Sequence, residues 1–157
     1  MRNSHWQKLS RDTRGGALTE FAVSFPLLLL LCLGATDFGR LFFDALTVAN
    51  AAWTGAFYGA QNNVNFAKRT IMANRAIEDA KNLENVTANA TSFCECPGNP
   101  PTAISCDQAT NRLACADYGY PRAYVRTNLN HTFRTLVGYP GIPNQTVLDR
   151  SAFMRVQ

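Results

Sequence analysis

Few side chains in this sequence are of the types that perform acid–base or nucleophilic catalysis. The only two histidines are His5 and His131, so a Ser-His-Asp or Cys-His arrangement would have to be built on His131 alone. Asp107 and Asp117 flank cysteines without suggesting an acid–base pair, and the chain carries no glycine-rich phosphate loop or helical metal motif. We therefore expect a protein that is not an enzyme and that needs no metal or cofactor.

Cysteine is the other reactive residue type, and four of the five cysteines lie close together in the C-terminal half. In an exported domain, Cys94, Cys96, Cys106 and Cys115 predict two disulfides. Cys94 and Cys96 are two residues apart on an extended segment and point the same way, so each is expected to bond to Cys106 or Cys115, which leaves two connectivities open. A Cys₄ zinc site is the alternative, but neither pair has the usual C-x₂₋₄-C spacing. Cys32 lies apart from this cluster, in the apolar segment, and we expect it to act as a small apolar packing residue.

The longest apolar segment contains residues 16–35, in which Thr19, Glu20 and Ser24 are the polar side chains. As a helix these 20 residues would extend about 30 Å, which is the thickness of a bilayer's hydrocarbon core. Basic residues precede the segment, which orients the N-terminus toward the cytoplasm; they are Arg2, Lys8, Arg11 and Arg14. A cleaved signal peptide is the alternative. Against it, the sequence continues as a helix beyond a cleavage site near Ala35.

Glu20 is the residue that a simple membrane anchor does not require. A carboxylate costs about 2.5–3.5 kcal/mol at the centre of a bilayer and less near its surface, so we expect Glu20 to have a charged partner. The alternative is a Glu20 solvated by lipid headgroups. In a low-dielectric bundle of helices, a paired carboxylate selects the axial register more than it adds stability.

The order of residues around Glu20 resembles a known class of leader sequence. A basic leader, the small residues Gly15-Gly16, then Glu20-Phe21 and a long apolar helix are similar to the class III signal sequences of type IV pilins, the Tad-pilus branch in particular. The wider N-terminal sequence resembles the TadE-like family of pseudopilins, through the segments EFA, DFGR, NAA and GA and a C-terminal SAFMRV.

This resemblance implies a minor pseudopilin, a structural or assembly subunit of a Tad-type (tight adherence) type IV pilus. It implies that prepilin peptidase cuts after Gly15, or after Gly16, so that Glu20 becomes the fifth residue, with Phe21 behind it, and pairs with an N-terminal ammonium. The implied partners are prepilin peptidase, other pilins and pseudopilins, the inner-membrane pilus platform and membrane lipid. The implied location is the bacterial inner membrane, with the C-terminal domain periplasmic or extracellular. A signal-anchored extracytoplasmic binding domain without a filament role is the alternative function.

Nucleic acid is not among the expected partners. The formal net charge is +4, but most of it comes from the N-terminal 15 residues, which carry four basic side chains against Asp12. Binding a polyanion requires lysine and arginine clustered on the folded part of the chain.

The hydrophobic pattern predicts an α+β fold in three segments: a cytoplasmic leader at 1–15, a transmembrane helix at 16–36 and an extracytoplasmic domain at 37–157. Apolar spacing predicts that the first helix continues as an amphipathic helix whose Trp53 and Phe57 pack against a small antiparallel sheet. A second helix is predicted over 66–84, with Asn65 as its N-cap and Ile71, Ile77, Ala80 and Leu83 facing the core. Alternating residues predict strands at 120–129 and at the C-terminus, joined by the Gly- and Pro-rich segment 138–143.

Overall fold

The computed structural model describes residues 16–98, 100–106, 115 and 119–156. The predicted leader at 1–15 lies outside these residues, as do Asp107 and Asp117. The chain divides into two compact units, residues 1–39 and 40–157, and their boundary lies within the first helix.

The first helix, α1, occupies Gly16–Ala60 and is 45 residues long. It contains a window long and apolar enough to cross a membrane, and none of that window is buried. A core helix of a soluble domain would be covered by other elements, so the window is a candidate single-pass membrane anchor.

Two shorter helices follow, and their bounds differ from the prediction of one helix over 66–84. The helix α2 occupies Asn63–Phe66, and Asn62 is its N-cap, because the Asn62 side chain accepts a hydrogen bond from the Asn65 backbone N–H at 2.8 Å. The helix α3 occupies Arg69–Asp79. The prediction that Asn65 is the N-cap was therefore wrong. Asn62 has the same side chain three residues earlier and caps α2.

The described strands form an antiparallel sheet in the order β2-β1-β3-β4. Their bounds are β1 Thr87–Cys96, β2 Thr102–Ile104, β3 Arg122–Arg134 and β4 Gln145–Arg155. The turn between β3 and β4 is the predicted Gly- and Pro-rich connection, where Gly141 has φ +80° and Thr135 donates its backbone N–H to Asn144 O at 3.1 Å.

Alternation along β3 follows the prediction closely. Val125, Thr127 and Leu129 are buried on one face of the sheet, and Ala152 is buried opposite Thr127 on β4. The strand continues beyond the predicted end to Arg134, with His131 and Phe133 also buried. The α+β prediction of a long apolar helix, further helices and a small antiparallel sheet is confirmed.

The face of α1 that packs on the sheet consists of small residues, not of aromatic ones. Within residues 40–60 the buried side chains are Val48, Ala51, Ala52, Ala56 and Ala60. Trp53 and Phe57 are 54% and 58% exposed, so the prediction that they form the core was wrong. The reason lies at Gly55, where α1 comes so near α3 and β3 that an added Cβ would lie 2.8 Å from Met72 O and 2.8 Å from Thr127 Cγ2.

In α3, too, smaller or unbranched side chains are buried in place of the predicted isoleucines. Its buried residues are Met72 and Ala76, followed by Ala80 just after the helix, whereas Ile71 and Ile77 are 38% and 39% exposed. Ala80 was predicted correctly. Close approach of the helices selects small or unbranched side chains at the contact, and the branched isoleucines lie at its margin.

We expect Gly55→Ala to destabilise residues 40–157 by about 1–3 kcal/mol, because the new methyl group meets a backbone oxygen that cannot move independently. Thermal unfolding of the full-length chain in detergent measures the loss. The matched control is Gly39→Ala in the same helix, where an added Cβ meets nothing within 4 Å and helix propensity favours alanine. Equal unfolding temperatures for the two variants would contradict the close packing at Gly55.

Candidate assembly surface

The N-terminal end of α1 carries the residues for which the resemblance implies processing and charge pairing. Gly16 is the first residue of the helix, and Thr19 Oγ1 donates to Gly16 O at 2.7 Å. Glu20 is exposed one turn after Gly16, on the same side of the helix by the four-residue spacing. Gly15, the residue before the implied cut, lies outside the described residues. An ammonium on Gly16 and the Glu20 carboxylate would therefore be neighbours on one helix face.

The apolar window that follows exposes large side chains on all its sides. Phe21 is exposed, and its ring lies 5.4 Å from that of Phe25. Cys32 is a free, exposed thiol, so within the chain it is not the packing residue that its small size predicts. Exposure of this kind is unfavourable in water and suits an apolar solvent or neighbouring helices.

Beyond the boundary at Gly39, α1 carries a second exposed apolar surface, which we call the aromatic stripe. It consists of Phe42, Leu46, Trp53 and Phe57, each 48–59% exposed. At 3.6 residues per turn these four side chains lie within about 60° of one another. By the same geometry the buried Val48, Ala51 and Ala52 lie on the other side of the helix, and the buried Ala56 and Ala60 lie beside the stripe. One face therefore packs on the sheet while the stripe is left open.

A polar contact in the helix–sheet interface fixes the first residues of this helical segment. His131 Nδ1 lies 2.9 Å from Glu84 O, and because a carbonyl only accepts, that nitrogen carries the proton. His131 Nε2 lies 3.4 Å from Asp44 Oδ2 of α1. His131 is 7% exposed, and its contact with Asp44 tethers α1 to β3.

The clustered cysteines lie at one end of the sheet. Two disulfides join Cys94 to Cys106 and Cys96 to Cys115, with Cα–Cα distances of 5.1 Å and 5.4 Å. This is one of the two connectivities that the sequence left open. Cys94 and Cys96 are both buried on the inner face of β1, and because they are two residues apart on a strand their side chains are parallel and do not converge on each other. The bonds attach the segments after β1, which contribute few large apolar side chains, to the sheet.

These features occupy separate places in the chain. Glu20 and Phe21 belong to the unit of residues 1–39, whereas the disulfides, His131 and the aromatic stripe belong to residues 40–157. Among the described residues, no three His, Cys, Asp or Glu side chains form a group able to hold a metal ion. Sequence reasoning missed the stripe as a surface. The signal was the run of alanine and glycine opposite it, which marks the face that packs closely.

Comparison with known proteins supports a pilus-associated class. The chain matches the family model of TadE-like protein over residues 15–56. This confirms the resemblance to the TadE-like family, on the segment that contains Glu20, the apolar window and most of the aromatic stripe, and it indicates a Tad pilus-associated protein. No curated protein and no solved structure matches the chain.

Loss of either disulfide is expected to lower the stability of the sheet. For Cys106→Ser, the bond that spans 12 residues of sequence is lost, and the entropic model gives a cost of about 3 kcal/mol. Thermal unfolding of the full-length chain with and without reductant measures it, and peptide mapping under non-reducing conditions identifies the pairs. The matched variant Cys32→Ser should leave the unfolding temperature unchanged. Peptides linking Cys94 to Cys115 would contradict the connectivity described above.

Proposed function

We propose that this chain is a minor pseudopilin, a structural and assembly subunit of a Tad-type type IV pilus that prepilin peptidase processes. In this proposal α1 anchors the subunit in the bacterial inner membrane with its N-terminus in the cytoplasm, and residues 40–157 lie outside it. The subunit leaves the bilayer by packing α1 against the helices of other pilins and pseudopilins.

The observation that carries the proposal is the aromatic stripe. A soluble domain rarely leaves four large apolar side chains in line on a helix that already has a packed face. Phe42, Leu46, Trp53 and Phe57 lie C-terminal to the apolar window, on the same helix. An apolar surface on residues 40–60, outside the membrane-spanning window, is what a helix needs when it must pack against similar helices outside the bilayer.

In this arrangement, Glu20 sets the axial position of each subunit relative to its neighbours. Cleavage after Gly15 would create an ammonium on Gly16, one helical turn from the Glu20 carboxylate. In an assembled bundle, a carboxylate without a partner is strongly disfavoured, so neighbouring subunits would settle where each Glu20 meets an ammonium of its own chain or the next. Phe21 beside it adds an exposed ring for the neighbouring helix.

The continuity of α1 supports retention of the apolar segment. A conventional signal peptide would be cut after Ala35, which lies far inside the helix Gly16–Ala60. Removal of the segment before that point would leave the stripe on a helix without an anchor. A prepilin-type cut at Gly15 or Gly16 leaves the whole helix in the mature chain.

Processing is tested by N-terminal sequencing of the protein purified from membranes of cells that contain a prepilin peptidase. We expect Gly16 as the first residue, because Glu20 and Phe21 then stand at the fifth and sixth positions. A strain without the peptidase is the control and should yield intact Met1. A mature terminus just after Ala35 would establish a conventional signal peptide instead.

Assembly is tested by placing a polar side chain in the stripe. For Trp53→Gln and Phe57→Gln together, we expect co-purification with the other pilus subunits to fall at least tenfold. The free energy of unfolding should change by no more than about 1 kcal/mol for the two substitutions together, since both side chains are largely exposed.

The matched control is Val64→Gln, which removes an exposed apolar side chain from α2 and should leave co-purification unchanged. Undiminished co-purification of the stripe variant would contradict the assembly role. It would instead favour a signal-anchored extracytoplasmic binding domain that has no place in a filament.

A further inference from the structure

The sheet has an outer face that none of the described helices covers. Residues that pair across the strands point to the same face, and the buried Val125, Leu129 and Ala152 define the inner one. Tyr124 and Arg126 on β3 therefore point outward, together with their partners on β1 and β4. These partners are Phe93, Thr91, Arg155 and Phe153.

One end of this face combines arginine with aromatic side chains, and we call it the arginine–aromatic patch. Arg122, Tyr124 and Arg126 alternate along β3. Phe93 of β1 and Arg155 of β4 lie on either side of Tyr124, and Phe153 lies beside Arg126. The two arginines of β3 are four residues apart, which separates them by about 13 Å along the strand. All three arginines are exposed.

Ring contacts hold part of the patch in place. The Phe93 and Tyr124 rings are stacked, with centroids 5.6 Å apart, and the Arg126 guanidinium carbon lies 5.4 Å from the Phe93 centroid. Stacking on an aromatic ring orients a guanidinium and leaves its N–H groups available for hydrogen bonds. Phe153 is 62% exposed and presents an open apolar surface beside Arg126.

The positive charge of the patch is not neutralised by the described residues. Arg122, Arg126 and Arg155 form no ion pair with a carboxylate among them. Glu95 is the acidic side chain of β1 that pairs in register with Arg122. Three guanidinium groups against one carboxylate leave a surface that is complementary to an anion.

The rest of the outer face identifies the kind of anion. Next to the arginines the outer face is rich in amides and hydroxyls, namely Thr91, Asn89, Asn128, Ser151, Thr87 and Asn130, and Asp149 beside Asn130 is the acidic side chain at its far end. A nucleic acid carries a phosphate on every nucleotide and calls for more closely spaced cations. Separated arginines beside amides and hydroxyls suit a polymer with spaced carboxylates and many hydroxyl groups.

We propose that the arginine–aromatic patch binds acidic polysaccharide that contains uronate residues. Arg122, Arg126 and Arg155 donate hydrogen bonds to the uronate carboxylates, and the planar guanidinium fork matches a carboxylate in a two-point contact. Phe153 contacts the apolar face of a sugar ring, and the neighbouring amides and hydroxyls bind sugar hydroxyls. This binding does not depend on assembly into a filament.

The test uses the full-length chain in detergent with polygalacturonate as the probe. Neutral dextran and a thymidine oligonucleotide are the comparison ligands, and binding is followed at low and at high salt. We expect polygalacturonate to bind and dextran not to bind. Replacing all three patch arginines by glutamine should weaken binding at least tenfold. Arg126→Lys, which keeps the charge and loses the planar fork, should weaken it several-fold.

The matched control is Arg75→Gln, which removes an exposed arginine from α3 and should change affinity less than twofold. Unfolding temperatures of all variants should agree, which separates lost binding from lost folding. Equal binding by the triple variant, equal binding of dextran, tighter binding of the oligonucleotide or no binding of polygalacturonate would each overturn the proposal.

Discussion

The close approach of α1 to α3 and β3 at Gly55 is the contact on which the arrangement of residues 40–157 depends. An added methyl group there would meet the Met72 carbonyl oxygen and the Thr127 side chain, so the helix backbone itself forms part of the core. Once glycine and alanine occupy the inner face, the large side chains of the same helix have to lie on the outer face. The exposed aromatic stripe is therefore a consequence of how the helix packs inward.

A core made of such small residues gains little from each buried side chain, because hydrophobic stabilisation scales with the apolar area removed from water. The buried hydrophobic set is mostly alanine, valine and cysteine, with Met72, Leu129, Phe133 and Leu148 as its larger members. The Cys94–Cys106 and Cys96–Cys115 bonds add stability that this core does not supply, since each restricts the unfolded chain. They act where the sheet carries its shortest strand, β2.

How far the sequence predicts this molecule depends on which physical signal each element gives. The apolar window and the alternation of Val125, Thr127 and Leu129 are local patterns, and both elements form where expected. The inner face of α1 could not be chosen from hydrophobicity, because two apolar faces compete, and the aromatic one is the more hydrophobic. Close packing at Gly55 requires the face of small residues to lie against the sheet. Asn62, not Asn65, caps α2, because several asparagines in one short segment offer equivalent side chains.

The candidate surfaces also differ in how far the sequence alone predicts them. Glu20 and its spacing from Gly16 are readable from the chain, because their chemistry is local to one helical turn. The arginine–aromatic patch is not, since Arg126 and Arg155 are far apart in sequence and meet only through the register of β3 and β4. A basic cluster on the folded domain was not expected, because most of the net charge lies in the N-terminal segment. Antiparallel pairing makes such a cluster from isolated residues, since every second side chain of adjacent strands shares one face. Charge counted along the sequence therefore underestimates what the outer face of this sheet presents to an anion.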